Sequence, residues 1–157
     1  MSEPTHSAAL AARYAPSSND PAWLRTLRDD AIARFEAVGF PTSRLEDWKY
    51  TAAPARAIAK GKFAPASSAP QISGPVQSLA SVLAEDAASL EGKLGSIAQA
   101  KDDAFVALNT AFFDGGAVIR VGRGEVHAEP VHVVFEAQAA MTQPRIRIEA
   151  EANSSAT

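Results

Sequence analysis

The chain of 157 residues contains no cysteine. That excludes disulfides, a thiol nucleophile and thiolate metal ligands on this chain, and it is compatible with a reducing compartment. No stretch approaches 18 apolar residues, so no segment is long enough to span a bilayer as a helix. Residues 1–19 lack an unbroken apolar stretch and hold His6 and Arg13, which argues against a secretory signal. Charge of one sign is also scarce. The net charge is −3, and residues 1–70, 71–104 and 105–157 carry balances of +2, −3 and −2. None of these would draw nucleic acid electrostatically.

What the chain does have is apolar content, 46% by residue, enough to build a core. Residues 1–18 read as a loose arm or a poorly anchored helix. Asn19-Asp20-Pro21 reads as a helix start, with a side-chain acceptor at the cap and Pro at the first helical position. Trp23, Leu24, Leu27, Ala31, Ile32, Phe35 and Val38 follow at three- and four-residue steps, so an amphipathic helix is expected, with Arg25, Arg28, Asp29 and Glu36 on its wet face. Gly39 ends it, and Pro41 prevents its resumption. Residues 64–75, APASSAPQISGP, have the composition of a linker. Leu79, Val82, Leu83, Ala87 and Leu90 mark a second helix ending near Gly92 or Gly95. Asp102 or Asp103 caps a third, whose stripe is Phe105, Leu108, Ala111 and Phe112.

Near residue 116 the period changes from helical to strand. Ala117–Val121 and Val131–Glu136 are short β-branched runs separated by Gly122-Arg123-Gly124 and Pro130. Arg145–Glu149, RIRIE, alternates strictly, with Ile146 and Ile148 on one face and Arg145, Arg147 and Glu149 on the other. The class is therefore α+β. The division expected is a helical domain over 1–100, with its linker at 64–75, and a connecting helix with the first strands over 101–157.

Candidate chemistry is sparse. Glu125, His127, Glu129 and His132 make a loose set for a metal, interrupted by Gly124 and Pro130, and solvent-facing strand residues are the expectation. Gly122-Arg123-Gly124 lacks the Gly-Lys-Ser/Thr ending and the following helix of a phosphate loop. No nucleophile stands beside a base. Neither a catalytic residue nor a metal ligand is expected, and the chain is read as a non-enzyme.

One stretch stands out, GFPTSRLEDWKYT from Gly39 to Thr51. Trp, Tyr and Arg are typical of interface hot spots. The same residues also suit a structural corner in which Pro41 and Thr42 fix the turn. In that corner the rings of Trp48 and Tyr50 bury against the Leu24–Val38 helix, and Arg44 pairs with Glu46 or Asp47. The corner is the expectation. A self-contained interaction module using the Trp48/Tyr50 surface is the alternative.

The order Arg44, Glu46, Trp48, Lys49, Tyr50 after a helix ending in Gly-Phe-Pro resembles the N-terminal signature of SufD-type subunits in the SufB/SufD family. These are subunits of the SUF scaffold for iron–sulfur cluster assembly. Phe105-Val106-Ala107-Leu108-Asn109 with Asp114-Gly115, then Val118–Glu136, resembles that family's entry into its strand-rich core, and TQPRIRIEAEANSSAT resembles the next segment. The resemblance implies a helical N-terminal domain leading into a right-handed parallel β-helix, here its first strands only. It further implies SufB-like and SufC-like partner subunits in a longer protein of which this chain is about the first third, and a cytoplasmic location. No nucleic acid and no membrane belong to that picture. It implies no cofactor on this chain, the iron–sulfur cluster being handled by the full complex.

Overall fold

The computed structural model describes residues 6–51, 61, 69–101, 103–136 and 141–157. The chain is α+β and folds into two compact units, and the sequence interleaves them. One holds the residues up to Ala64 and then Gly95–Phe112. The other holds Pro65–Leu94 and Phe113–Thr157. Chain order and spatial grouping therefore differ from a single cut near residue 100. The segment Leu79–Leu90 groups with the strands, and Ala104–Phe112 groups with the N-terminal helices.

The helical unit contains α1 (His6–Ala11), α2 (Ala22–Val38), a 3-10 turn at Glu46–Trp48, and α4 (Ala104–Phe112). Helix α2 buries Leu24, Arg28, Ala31, Ile32 and Phe35, a stripe at the three- and four-residue steps of one helix face. It packs along α4, which buries Ala107, Leu108, Thr110 and Ala111. Gly39 ends α2 at φ +67°, its N–H donating to the Phe35 carbonyl at 2.8 Å.

Two details of this unit differ from expectation. Pro21 itself is the cap of α2, and no side chain caps the helix. Asp20, expected to help start the helix, turns instead to Arg28, whose Nε lies 3.0 Å from the Asp20 carboxylate. Arg28 was placed on the wet face, yet it is 9% exposed, because positions 24, 28, 31 and 35 share one stripe. Its burial is matched by that ion pair and by a 3.0 Å hydrogen bond to the Ala111 carbonyl on α4. At the start of α4 the cap is Asp103, whose carboxylate accepts from the N–H groups of Phe105 and Val106 at 2.7 and 3.1 Å. Asp102 lies outside the described residues.

The strand unit contains β1 (Gln71–Ser73), β2 (Val76–Ser78), α3 (Leu79–Asp86) continued by a 3-10 turn at Ala87–Leu90, β3 (Gly115–Val121), β4 (His132–Val134) and β5 (Pro144–Ala150). Part of the stretch read as a linker is thus strand. Gln71–Ser73 pairs antiparallel with β4, while 64–68 lie outside the described residues. Ser78 caps α3 by accepting from the Ser81 N–H at 3.0 Å.

A second sheet has the order β2-β3-β5, with β2 antiparallel and β5 parallel to the central β3. The parallel register is uniform. Each residue from Gly115 to Val121 faces the residue 29 positions further on, from Pro144 to Ala150. The same offset recurs at the parallel bridge Val126↔Ser155. Between these points the Gly124 N–H donates to the Ala152 carbonyl at 3.1 Å and the Ser155 N–H to the Glu125 carbonyl at 2.9 Å. The chain therefore makes one lap of 29 residues and lays the next stretch on itself in register, through a corner as well as a strand.

Candidate functional site

The Gly39–Thr51 stretch forms a corner. The Thr42 hydroxyl accepts from the Arg44 N–H at 3.3 Å, and the 3-10 turn Glu46–Trp48 follows. Rings step through the helical unit from there. Phe35 meets Phe40 edge-on at 5.1 Å, Phe40 meets Phe105 at 5.9 Å, and Trp48 lies against Phe105 at 5.2 Å. Trp48 is half-buried, and the ring it meets belongs to α4. Tyr50 does not bury as expected. It is 88% exposed, with the Lys49 ammonium 5.5 Å from its ring centre. Among the described residues Glu46 pairs with Lys49 at 3.9 Å, and Arg44 makes no ion pair there. Leu45 is 54% exposed, so this corner shows solvent one aliphatic and one aromatic side chain.

In the strand unit, Glu125 and His127 are neighbours, 3.5 Å apart, and the Glu125 carboxylate also accepts the Gly122 N–H at 2.7 Å. His132 and Glu129 are exposed. Among the described residues no three His, Asp or Glu side chains are placed to hold a metal ion.

The strongest electrostatic feature was not singled out from the sequence. Glu149 on β5 receives three cations: Lys93 at 3.0 Å, and Arg120 and Arg147 at 3.3 Å each. Arg120 extends the network to Gln77 at 3.2 Å and Ser89 at 2.8 Å, and Arg147 donates to the Lys93 carbonyl at 3.2 Å. Burial disfavours the charged form of Glu149. Hydrogen bonding and attraction from Lys93, Arg147 and Arg120 outweigh it and hold the carboxyl below its ordinary value. The signal was the alternation in RIRIE, which puts Arg145, Arg147 and Glu149 on one face. What alternation does not say is which face is covered. Here the charged face is clasped by residues 89–93, while Ile146 and Ile148 on the other face are 47% and 63% exposed. Ile148 and Ala150 line an apolar groove of about 470 Å³ with Ile119, Val121 and Val131.

This arrangement can hold β5 to the neighbouring residues of its own unit and offer surface. The Glu149 carboxylate is committed to three cations, which leaves it a poor base. No helix in the described residues is long and apolar enough to cross a membrane.

Residues 57–133 match the family described as the SufBD protein N-terminal region. The match supports membership of the SufB/SufD family, and with it involvement in the SUF system of iron–sulfur cluster assembly and in a complex with other subunits. The matched span runs from before β1 into β4 and takes in α3, α4 and β3. The Gly39–Thr51 corner and β5 lie outside it. No curated protein matches the chain.

Proposed function

We propose that this chain is the N-terminal part of a SufD-like subunit, a non-enzymatic scaffold component of cytoplasmic iron–sulfur cluster assembly. The observation that carries this reading is the family match over residues 57–133. The strand unit supports it. A lap of 29 residues that returns in parallel register, through strand and corner alike, is the repeat that a parallel β-helix requires. Parallel crossovers of this kind are right-handed in nearly all proteins, which favours a right-handed coil.

In this reading the helical unit and the first lap form the entry to the β-helix. The aromatic corner Phe40–Trp48–Phe105 fixes the helices, with Arg44, Glu46, Trp48 and Tyr50 as structural or surface residues and none as a catalyst. The cluster is cargo of the assembled complex. This chain has no cysteine to give it a thiolate, so the soft ligands come from elsewhere in the assembly. The partners expected are SufB-like and SufC-like subunits.

Affinity purification of the protein from its own cells, with the bound chains identified by mass spectrometry, tests the reading. Recovery of a SufB-like subunit and a SufC-like ATPase is expected, and their absence from an otherwise intact preparation would contradict it. The exposure of Tyr50 and Leu45 favours a second reading, an interaction module working through that corner. Loss of a partner on Tyr50→Ala, with unchanged melting, would support it.

A further inference from the structure

Residues 71–78 trace the first lap backwards. The lap runs from β3 to β4, and β5 then repeats β3 in the same direction. By contrast β1 lies on β4, and β2 lies on the side of β3 away from β5, each antiparallel to the strand it meets. The Val121 carbonyl accepts from the Glu151 N–H at 2.9 Å, so Val121 addresses β5. Successive strand residues turn their backbone groups to alternate sides. Ile119 therefore also addresses β5, while Val118 addresses β2, and the facing residues Gln77 and Val118 exchange both backbone hydrogen bonds. Two glutamines reinforce this cover. Gln71 donates to the Glu136 carboxylate at 3.2 Å, and Gln77 accepts from Arg120 at 3.2 Å.

The covering strands leave little edge of their own. With Gln77 turned to β3, the outward backbone groups of β2 belong to Val76 and Ser78. The Val76 N–H is taken by the Gly74 carbonyl at 2.8 Å. Ser78 caps α3, so its carbonyl enters the first turn of that helix. Pro75, just before β2, has no N–H to offer. Gln71, Ser73 and Gln77 are exposed, which makes the outer face polar. A stack of laps needs such an end, because its first lap otherwise presents unpaired N–H and C=O groups to any passing strand. We propose that residues 71–78 are a stop for the stack. They pair the outer edge of the first lap, so laps add on the β5 side only and no other chain extends the sheet at this end. The inference rests on the β-helix reading above.

Amide exchange on the full chain tests the stop, together with sedimentation equilibrium from about 1 to about 200 µM, a range in which mass action resolves weak association. In the parent, the Val118 amide should exchange as slowly as those of Ile119 and Val121. Fast exchange at Val118 beside slow exchange at Ile119 and Val121 would overturn the stop and leave the lap standing. Slow exchange at Val118 beside fast exchange at the other two would contradict the lap instead, and the stop would then have no stack to close. Gln77→Pro removes one of the two paired N–H groups and should speed Val118 exchange about tenfold or more. Its mass should also rise with concentration more steeply than the parent's, because the edge of β3 is then open. Gln77→Ala keeps both backbone groups and should behave as the parent. A folded Gln77→Pro variant whose Val118 amide exchanges fast, yet which associates no more than the parent, would overturn the proposal. If that variant does not fold, Ile72→Pro, which loosens β1 from β4 and leaves β2 in place, carries the same test at the β4 edge.

Discussion

Gly116 on β3 sits against the backbone of Arg145 on β5 so closely that a Cβ at position 116 would collide with the Arg145 carbonyl. Its φ of +149° is in the region that side chains avoid. The parallel lap thus closes where only glycine fits. Gly116→Ala is expected to cost about 3 kcal/mol or more, since it combines strain with a backbone clash. Gly124→Ala, where φ is +70° but nothing lies within 4 Å, should cost about 1 kcal/mol. Chemical denaturation of both variants checks the ordering, and equal costs would mean that the two strands part easily at Gly116.

Arg28 and Asp20 form a mostly buried pair, with side chains each 11% exposed. Removing one partner leaves the other charged and desolvated. Arg28→Met and Asp20→Asn should each destabilise the helical unit by about 3–5 kcal/mol, Arg28→Met also freeing the Ala111 carbonyl. The double replacement should lose less than the sum, because no unpaired charge remains. Denaturation of the two single variants and the double gives the coupling directly.

Glu149 makes the strand unit acid-sensitive. Its carboxyl is held below its ordinary value, so the stabilisation is present above the unfolded pKa, about 4.5, and is lost as pH falls through the lower folded value. Glu149→Gln should remove that acid step. At neutral pH it should cost about 1.5–3 kcal/mol by leaving Lys93, Arg120 and Arg147 facing each other. Melting curves of parent and variant should differ at pH 7, and the difference should shrink progressively as pH is lowered below about 4.5.

Trp48 and Tyr50 separate by burial. Trp48 lies tilted against Phe105 and is half-buried, so Trp48→Ala should cost about 1–3 kcal/mol, below the range for a fully buried ring. Tyr50→Ala should stay within about 0.5 kcal/mol, as its ring is 88% exposed. Thermal melts of the two variants decide whether this stretch acts as a corner at Trp48 and as open surface at Tyr50.

The helices and the longer strands were legible in the sequence because each carries its own period. Leu24–Phe35, Leu79–Leu90, Phe105–Phe112 and the alternating RIRIE all announce themselves. Strands β1 and β2 did not, since three residues such as QIS or VQS hold no period and gain their form from partners about 40 to 60 residues away. Arg28 was misplaced because its charge outweighed its position on the stripe, and the partner that lets it bury, the Ala111 carbonyl, is 83 residues distant. The Glu149 network was half legible. Alternation grouped its charges, but whether a charged face is clasped or wet depends on residues 89–93, which nothing local ties to β5. The Gly39–Thr51 corner showed its turn residues plainly, while Tyr50 looked buriable by type and is exposed by position.

Cluster occupancy of iron–sulfur proteins in cells lacking this protein tests the assignment to SUF assembly most directly. Compared with parent cells under iron limitation, the account predicts reduced iron and sulfide content in those proteins at unchanged polypeptide levels, restored by supplying the gene. Unchanged occupancy in the deletion strain, with no other subunit substituting for it, would contradict the account.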